Sequence, residues 1–173
     1  MRLGILVILA LVALQRLIEI VYAERNTRAL LARGAVEIGR DHYIFIVLLH
    51  GAWLASIIFL LPDDATIRWP WLGLFILLQL ARVWVIATLG PYWTTRIITL
   101  DAAPLVRKGP YRYVRHPNYL VVAGEIAVLP LVFGEIWVAA VFTVLNTAIL
   151  AWRIREEDRA LADRRARAPA NVG

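Results

Sequence analysis

The sequence predicts an all-α integral membrane protein of about five transmembrane helices, amino terminus outside and carboxyl terminus cytoplasmic, with a helical hairpin at the carboxyl-terminal end. Three observations carry this. The 173 residues are 61% hydrophobic and only 18% charged, with a mean hydropathy of +0.67, which is more apolar surface than a soluble domain of this size can hide. The apolar residues fall in long runs, suited to crossing about 30 Å of hydrocarbon. The cations fall in alternate connections between those runs, the pattern that topology imposes on membrane chains.

The runs can be taken in order. Leu3 to Tyr22 is the first predicted helix; it carries Gln15, Arg16 and Glu19 and no small-residue cleavage pattern follows it, so it reads as a mature helix rather than a signal peptide. Tyr43 to Leu61 and Trp69 to Leu89 are the second and third. A polar interval, Gly90 to Asn118, separates them from Tyr119 to Phe133 and Ile136 to Trp152, two helices joined by a tight turn at Gly134 and Glu135, with Pro130 placed to kink the first near its end. The whole chain, residues 1–173, reads as one membrane domain, with a three-helix part over 1–89 and a loop, hairpin and tail over 90–173.

Loop charge gives the orientation. Arg25, Arg28, Arg33 and Arg40 follow the first run, Arg96, Arg107, Lys108, Arg112 and Arg115 fill the polar interval, and further arginines crowd the tail from Arg153 to Arg167. The connections between hold Asp63, Asp64 and Arg68, or Glu135 alone. Basic connections face the cytoplasm, so the predicted site is at the inner face of the membrane. The net charge of +6 is thereby explained without nucleic acid, because the cations sit in short loops rather than in one phosphate-tracking patch. The chain has no cysteine, which excludes disulfides, thiolate nucleophiles and cysteine-ligated metals.

Several polar residues interrupt the apolar runs. Arg16 and Glu19 lie three apart and Gln15 and Glu19 four apart, on one helical face, and read as a structural pair with a hydrogen bond. Gln79 and Arg82 form a similar pair, where a deep arginine needs an anionic or carbonyl partner, in the protein or in a substrate. His42 and His50 lie about two turns apart with no carboxylate at ligand spacing, so they read as packing or interfacial residues and no metal is expected. Most of the seven tryptophans fall near predicted span ends, as an aromatic belt does.

The most specific text runs from Arg107 to Leu120: Arg-Lys-Gly-Pro-Tyr-Arg-Tyr-Val-Arg-His-Pro-Asn-Tyr-Leu. Gly109-Pro110 makes a turn, Tyr111 and Tyr113 offer aromatic faces, and His116-Pro117 precedes the free backbone donors of a helix that begins near Asn118 and Tyr119. Beyond the hairpin, Arg153 and Glu157 are four apart and face the same way. A short hairpin turn returns them to the membrane face that holds His116, so the two motifs converge on one pocket. The tail arginines are also suited to anchoring the last helix to anionic lipid, with Glu156 and Glu157 as their ion-pair partners.

Gly109-Pro110-Tyr111-Arg112-Tyr113-Val114-Arg115-His116-Pro117-Asn118-Tyr119, followed by Arg153-Ile154-Arg155-Glu156-Glu157 and Leu161, resembles the isoprenylcysteine carboxyl methyltransferase family and its relatives among membrane phospholipid methyltransferases. The resemblance covers about the carboxyl-terminal half, from Leu89 onward. It implies an integral membrane enzyme that uses S-adenosylmethionine without a Rossmann domain, and no G-x-G-x-x-G occurs in the chain. It further implies that Leu105 and Val106 flank the adenosine through backbone contacts, that Tyr111, His116 and Tyr119 line the cofactor pocket, that Glu157 (with Glu156 as the alternative) holds the cofactor's amino group, and that Arg153 faces the methyl acceptor. Residue chemistry agrees: a carboxylate suits an ammonium and a guanidinium an anionic oxygen. A carboxylate acceptor needs no base, whereas a phenol or enol must lose its proton, with Arg153, or His116 acting as base, as the catalytic residues that stabilise the anion. Where the family often continues after its glutamates into a stretch with glycine and aromatics, this chain ends in Ala-Asp-Arg-Arg-Ala-Arg-Ala-Pro and a few more residues.

The amino-terminal half, including Leu14-Gln15-Arg16-Leu17-Ile18-Glu19, is similar to a bacterial branch of the family. That likeness implies O-methylation of a lipid-like acceptor, such as a phenolic or pyrone lipid of the alkylresorcinol or alkylpyrone kind. A prenylated cysteine carboxylate and a phospholipid amine are the alternative acceptors. Two other classes stay open on the sequence: a membrane reductase using a reduced nicotinamide dinucleotide, and a noncatalytic membrane protein that acts by packing against partners.

Overall fold

The computed structural model describes residues 2–100 and 106–167. Five α-helices make up most of it: α1 (Arg2–Leu31), α2 (Arg40–Phe59), α3 (Trp69–Leu89), α4 (Pro117–Val132) and α5 (Ile136–Arg167). Each falls on a predicted run, but the lengths differ from five equal spans. Three helices, α1, α3 and α5, are long and apolar enough to cross a membrane, whereas the apolar parts of α2 and α4 are shorter. With its 16 residues, α4 rises only about 24 Å. Pro117 begins it, and Gly134, at φ 87°, stops it; a Cβ there would enter the left-handed region and stand 2.9 Å from the Arg68 guanidinium.

The other departure is at the polar ends. α1 was expected to stop at Tyr22 and α5 at Trp152, yet they run to 30 and 32 residues, about 45 Å and 48 Å. The additional turns of α1 bury Ala23, Asn26, Thr27 and Leu30, so tertiary contact rather than lipid stabilises them. Two three-residue strands, β1 (Val36–Ile38) and β2 (Ile97–Thr99), were not foreseen. They pair antiparallel with Glu37 opposite Ile98, joining the α1–α2 connection to the segment after α3.

The core lies between helices, where Ile5, Leu9, Trp53, Ile57, Phe75, Ile126, Leu129 and Phe133 meet. The outer helix faces keep Leu11, Leu17, Val21, Leu77, Leu80 and Val144 exposed, as lipid requires. Trp53 and Trp93 depart from the belt expectation, each being 2% exposed. Trp53 donates to the Ile126 carbonyl at 3.1 Å, and Trp93 stacks on Tyr22 at 6.0 Å.

A charge network ties α1, α3 and α4 together in mid-bundle. Arg82 grips Glu19 with two nitrogens, at 2.7 and 2.6 Å, and reaches Glu125 with a third at 2.9 Å. Arg16 bridges the same two carboxylates, each at 2.9 Å. Gln15 bonds Glu19 and Gln79, and Gln79 donates to Glu125 at 2.8 Å. The expected Arg16–Glu19 pair is present, but Gln79 and Arg82 meet through Glu125 rather than with each other. Arg82 is therefore taken up by protein carboxylates and is not the anion holder that its position had left open. His50, by contrast, contacts only its own helix in the described hydrogen bonds, with Nδ1 2.8 Å from the Ile46 carbonyl.

Arg2 and Asp63 pair, and the Arg68 N–H donates to the Val132 carbonyl, so the amino terminus, the α2–α3 connection and the α4–α5 turn share one end of the bundle. The sheet, the 3-10 turns and the polar end of α5 gather at the other. Two predictions follow from this packing. Arg82→Ala leaves two buried carboxylates sharing Arg16 alone and should lower stability by about 3–5 kcal/mol, with Arg82→Lys intermediate because an ammonium lacks the fork; thermal unfolding in detergent measures both, and a wild-type midpoint would refute the network's role. At the turn, the buried Glu135 carboxyl, without a hydrogen-bond partner among the described residues, is pushed by desolvation from 4.5 up to about 7. The folded state thus holds its proton longer than the unfolded one, and stability falls as pH rises through that window. Glu135→Gln should gain thermal midpoint over wild type on going from about pH 5 to about pH 8; parallel curves would refute this.

Candidate functional site

The site sits at the end of the bundle that gathers the basic connections. A 3-10 turn, Gly109–Arg112, leads to α4, and its packing explains the glycine. Gly109 has φ 57°, and a Cβ there would lie 2.6 Å from Thr88 Oγ1 of α3. Pro110 is buried beside it, and the Tyr113 and Val114 N–H groups donate to the Pro110 carbonyl at 3.2 and 3.1 Å. The turn is thereby held against α3, with His116 as the residue that caps α4.

An open cavity of about 970 Å³ lies under this turn, between it, the β2 segment and α5. Val106, Tyr111, His116, Tyr119, Arg153, Glu157 and Leu161 all line it. Leu105 lies outside the described residues. Glu156 does not line the cavity; its carboxylate pairs with Arg159 at 2.9 Å.

Tyr119 is the hub of the contacts. Its hydroxyl donates to Glu157 Oε2 and accepts from Arg153 Nε at 2.9 Å. Arg153, only 6% exposed, also donates to the Thr95 carbonyl at 2.6 Å and lies over the Tyr119 ring at 5.7 Å. On the other side the His116 ring stacks on Tyr119, centroids 5.4 Å apart and planes 19° off parallel. His116 presents Nε2 to Asp158 at 3.2 Å and Nδ1 toward Glu157 at 3.8 Å. Burial, and then the Glu157 carboxylate, holds the Tyr111 phenol well above its usual range, so Tyr111 is a neutral hydrogen-bonding wall at physiological pH.

Residues to which the sequence reading gave no site role complete the walls. Asn26, at the end of α1, donates to the Gly90 and Trp93 carbonyls at 3.1 and 2.8 Å, fixing the turn before β2. Arg96 lines the cavity, bonds Glu37 at 3.3 Å and lies 5.2 Å over the Tyr43 ring; Tyr43 in turn meets Thr95 at 3.1 Å. Asn118 Oδ1 and Trp93 Nε1 are buried, have no hydrogen-bond partner among the described residues and belong to residues lining the cavity. Such orphaned groups inside a cavity are what a polar ligand satisfies. Only Arg96 and Asn118 carried a signal, as polar residues within the motif-bearing interval; the rest depend on chain crossings that spacing does not reveal. Among the described residues no three histidines, aspartates or glutamates gather as a metal-ligating group.

A second, apolar groove of about 400 Å³ opens between α4 and α5, lined by Leu120, Ala123, Thr147, Leu150, Ala151 and Ile154, and it shares Arg115, His116 and Tyr119 with the polar cavity. The bundle thus carries those motifs on the walls of a polar cavity against its last two helices. This chain belongs to the isoprenylcysteine carboxyl methyltransferase (ICMT) family, whose family model matches residues 71–163. It is 35% identical over 161 residues to the uncharacterized protein YpbQ of Bacillus subtilis, covering 90% of this chain and 95% of that one. It is 30% identical over 143 residues to an uncharacterized protein of Haemophilus influenzae, covering 80% and 83%. No solved structure matches.

The turn gives a direct test of this geometry. Gly109→Ala forces both a left-handed alanine and a displaced Thr88, and should lower stability by about 1–3 kcal/mol while loosening the cavity roof. An unchanged thermal midpoint would show that the turn has room to spare.

Proposed function

We propose that the protein is an S-adenosylmethionine-dependent O-methyltransferase acting on a lipid-like acceptor at the cytoplasmic side of the membrane. The observation that carries this reading is the shared wall: His116, Tyr119 and Arg115 border both a polar cavity that holds Glu157 and Arg153 and an apolar groove between α4 and α5. A soluble donor and a lipid acceptor need adjoining compartments of opposite polarity, and small-molecule sites are commonly of this size.

The residues present suit the donor. S-adenosylmethionine supplies a methyl group already activated on a sulfonium. Among the described residues Glu157 is the one carboxylate lining the polar cavity, and it is placed for the ligand's ammonium; Val106, Tyr111 and Tyr119 form the wall for the adenosine, and Asn118 Oδ1 is an acceptor without a donor among the described residues. Arg153, held by Tyr119 and the Thr95 carbonyl, orients an anionic acceptor oxygen. Because the donor is itself cationic, the cations lining the cavity, Arg96, Arg107, Lys108, Arg112, Arg115 and Arg153, are better matched by an ionisable acceptor oxygen than by an amine. That favours a phenolic, enolic or carboxylate lipid over a phospholipid amine, and leaves a prenylcysteine carboxylate as the alternative. Holding acceptor and donor in line supplies much of the rate. The five helices cross the membrane with the amino terminus outside, a topology that puts the basic end and the cavity in the cytoplasm.

The test is incubation of the purified protein with radiolabelled S-adenosylmethionine and a bacterial lipid extract. Labelled lipid is expected; calorimetric binding of a reduced nicotinamide dinucleotide with no labelled lipid would favour a reductase. Glu157→Ala should reduce S-adenosylmethionine affinity at least 100-fold, about 2.7 kcal/mol, and an unchanged calorimetric Kd would refute the assignment of Glu157.

A further inference from the structure

We infer that Asp158 is a positioning residue that holds the His116 ring with its proton on Nε2, leaving Nδ1 as the base for a protic methyl acceptor. The inference rests on the O-methyltransferase reading above and extends it to a residue outside the matched motif positions.

The argument starts from two distances. Asp158 Oδ1 is 3.2 Å from Nε2, within reach of a hydrogen bond, whereas Glu157 Oε1 is 3.8 Å from Nδ1, beyond it. An aspartate carboxylate only accepts, so the Nε2 contact requires a proton on Nε2; in the neutral ring Nδ1 is then the nitrogen with a lone pair. Glu157 leaves Nδ1 without a hydrogen bond, because its Oε1 stands 3.8 Å away while its Oε2 accepts from the Tyr119 hydroxyl. Stacking on Tyr119 removes the remaining freedom of the imidazole. The groups that face the ring are thus Asp158 and Glu157 from α5 and Tyr119 from α4, with Arg153 beyond Tyr119.

The two carboxylates divide the work by position. Glu157 lines the polar cavity, while Asp158 lines neither the cavity nor the groove and contacts His116 from outside them. His116 lines both, and Nδ1 is turned toward the cavity carboxylate. A base whose far nitrogen is anchored by a carboxylate is the usual arrangement for orienting a general base. In this site the acceptor's O–H proton passes to Nδ1, the oxygen's electron pair forms the new bond to the methyl carbon, and the carbon–sulfur pair leaves with the sulfur as a neutral thioether. The imidazolium so formed is stabilised by Asp158 and Glu157 and returns its proton to solvent through the open cavity.

The experiment uses the full chain in detergent, labelled with 15N-histidine; it has three histidines, and His116→Gln assigns the resonance. Two-bond proton–nitrogen correlation spectra should show His116 as the Nε2–H tautomer in the wild type and a mixture in Asp158→Ala. With a 5-alkylresorcinol as acceptor, Asp158→Ala should lower kcat about 10- to 100-fold, with S-adenosylmethionine affinity by calorimetry within about twofold of wild type, and Asp158→Glu should restore much of the rate. Asp158→Asn, which keeps the shape but can turn its amide N–H toward Nε2, stands in if the alanine variant does not fold, and should shift the ring toward the Nδ1–H tautomer with a kcat loss at least as large. An unchanged tautomer in Asp158→Ala, or a loss of S-adenosylmethionine affinity equal to that of Glu157→Ala, would overturn the inference. If the wild type methylates no acceptor, the functional reading fails on that result, and the spectra still decide the role of Asp158.

Discussion

Complete pairing of charge inside an apolar bundle is the constraint on which this structure rests. Hydrocarbon offers no water to an unpaired carboxylate or guanidinium, so Glu19, Glu125, Arg16 and Arg82 persist only as a mutually neutralising group with Gln15 and Gln79 filling the remaining positions. Lipid gives helices no hydrophobic reason to prefer one neighbour over another, and a network with fixed hydrogen-bond geometry supplies that preference. It sets α1 and α3 against the same face of α4. The first turn of α4 carries His116, Pro117 and Tyr119, so the register chosen in mid-bundle is transmitted to the site by one short helix.

The site obeys the same rule with looser closure. Arg153 and Glu157 are joined through the Tyr119 hydroxyl rather than directly, which keeps each near a partner while leaving both at the wall of a cavity. A direct salt bridge would have neutralised the two groups that an ammonium and an anionic oxygen need. Around them the amino-terminal half supplies support instead of chemistry: Asn26 holds the turn before β2, and Glu37 and Tyr43 hold Arg96. The β1–β2 pair then carries that support to the segment that presents Thr95 to Arg153.

Several parts of this arrangement were legible in the residues. Length and apolarity located all the helices, and Arg16 with Glu19 announced a pair because three residues along a helix bring side chains together. The motif from Gly109 to Tyr119, with Arg153 and Glu157, pointed to one pocket and to the family. Glu125 escaped notice, since a single carboxylate in an apolar run has no partner within one helical turn. Asp158 escaped for a related reason: its partner is 42 residues away, and nothing in its local spacing distinguishes it from Glu156, which pairs with Arg159 instead. The ends of α1 and α5 were drawn too short because polar composition was read as the end of the helix, when it marks only the departure from lipid.

By itself, then, the sequence determined the membrane class, the placement of the helices and the family, because these follow from composition, run length and contiguous motifs, which are local properties of the chain. The tertiary structure decided which charge neutralises which, that Arg82 is consumed inside the bundle, that Glu157 faces the cavity while Glu156 turns away, and that His116 lies between two carboxylates. Those outcomes depend on distances across helices, and such distances are set only when the packed bundle leaves each buried charge one place to go.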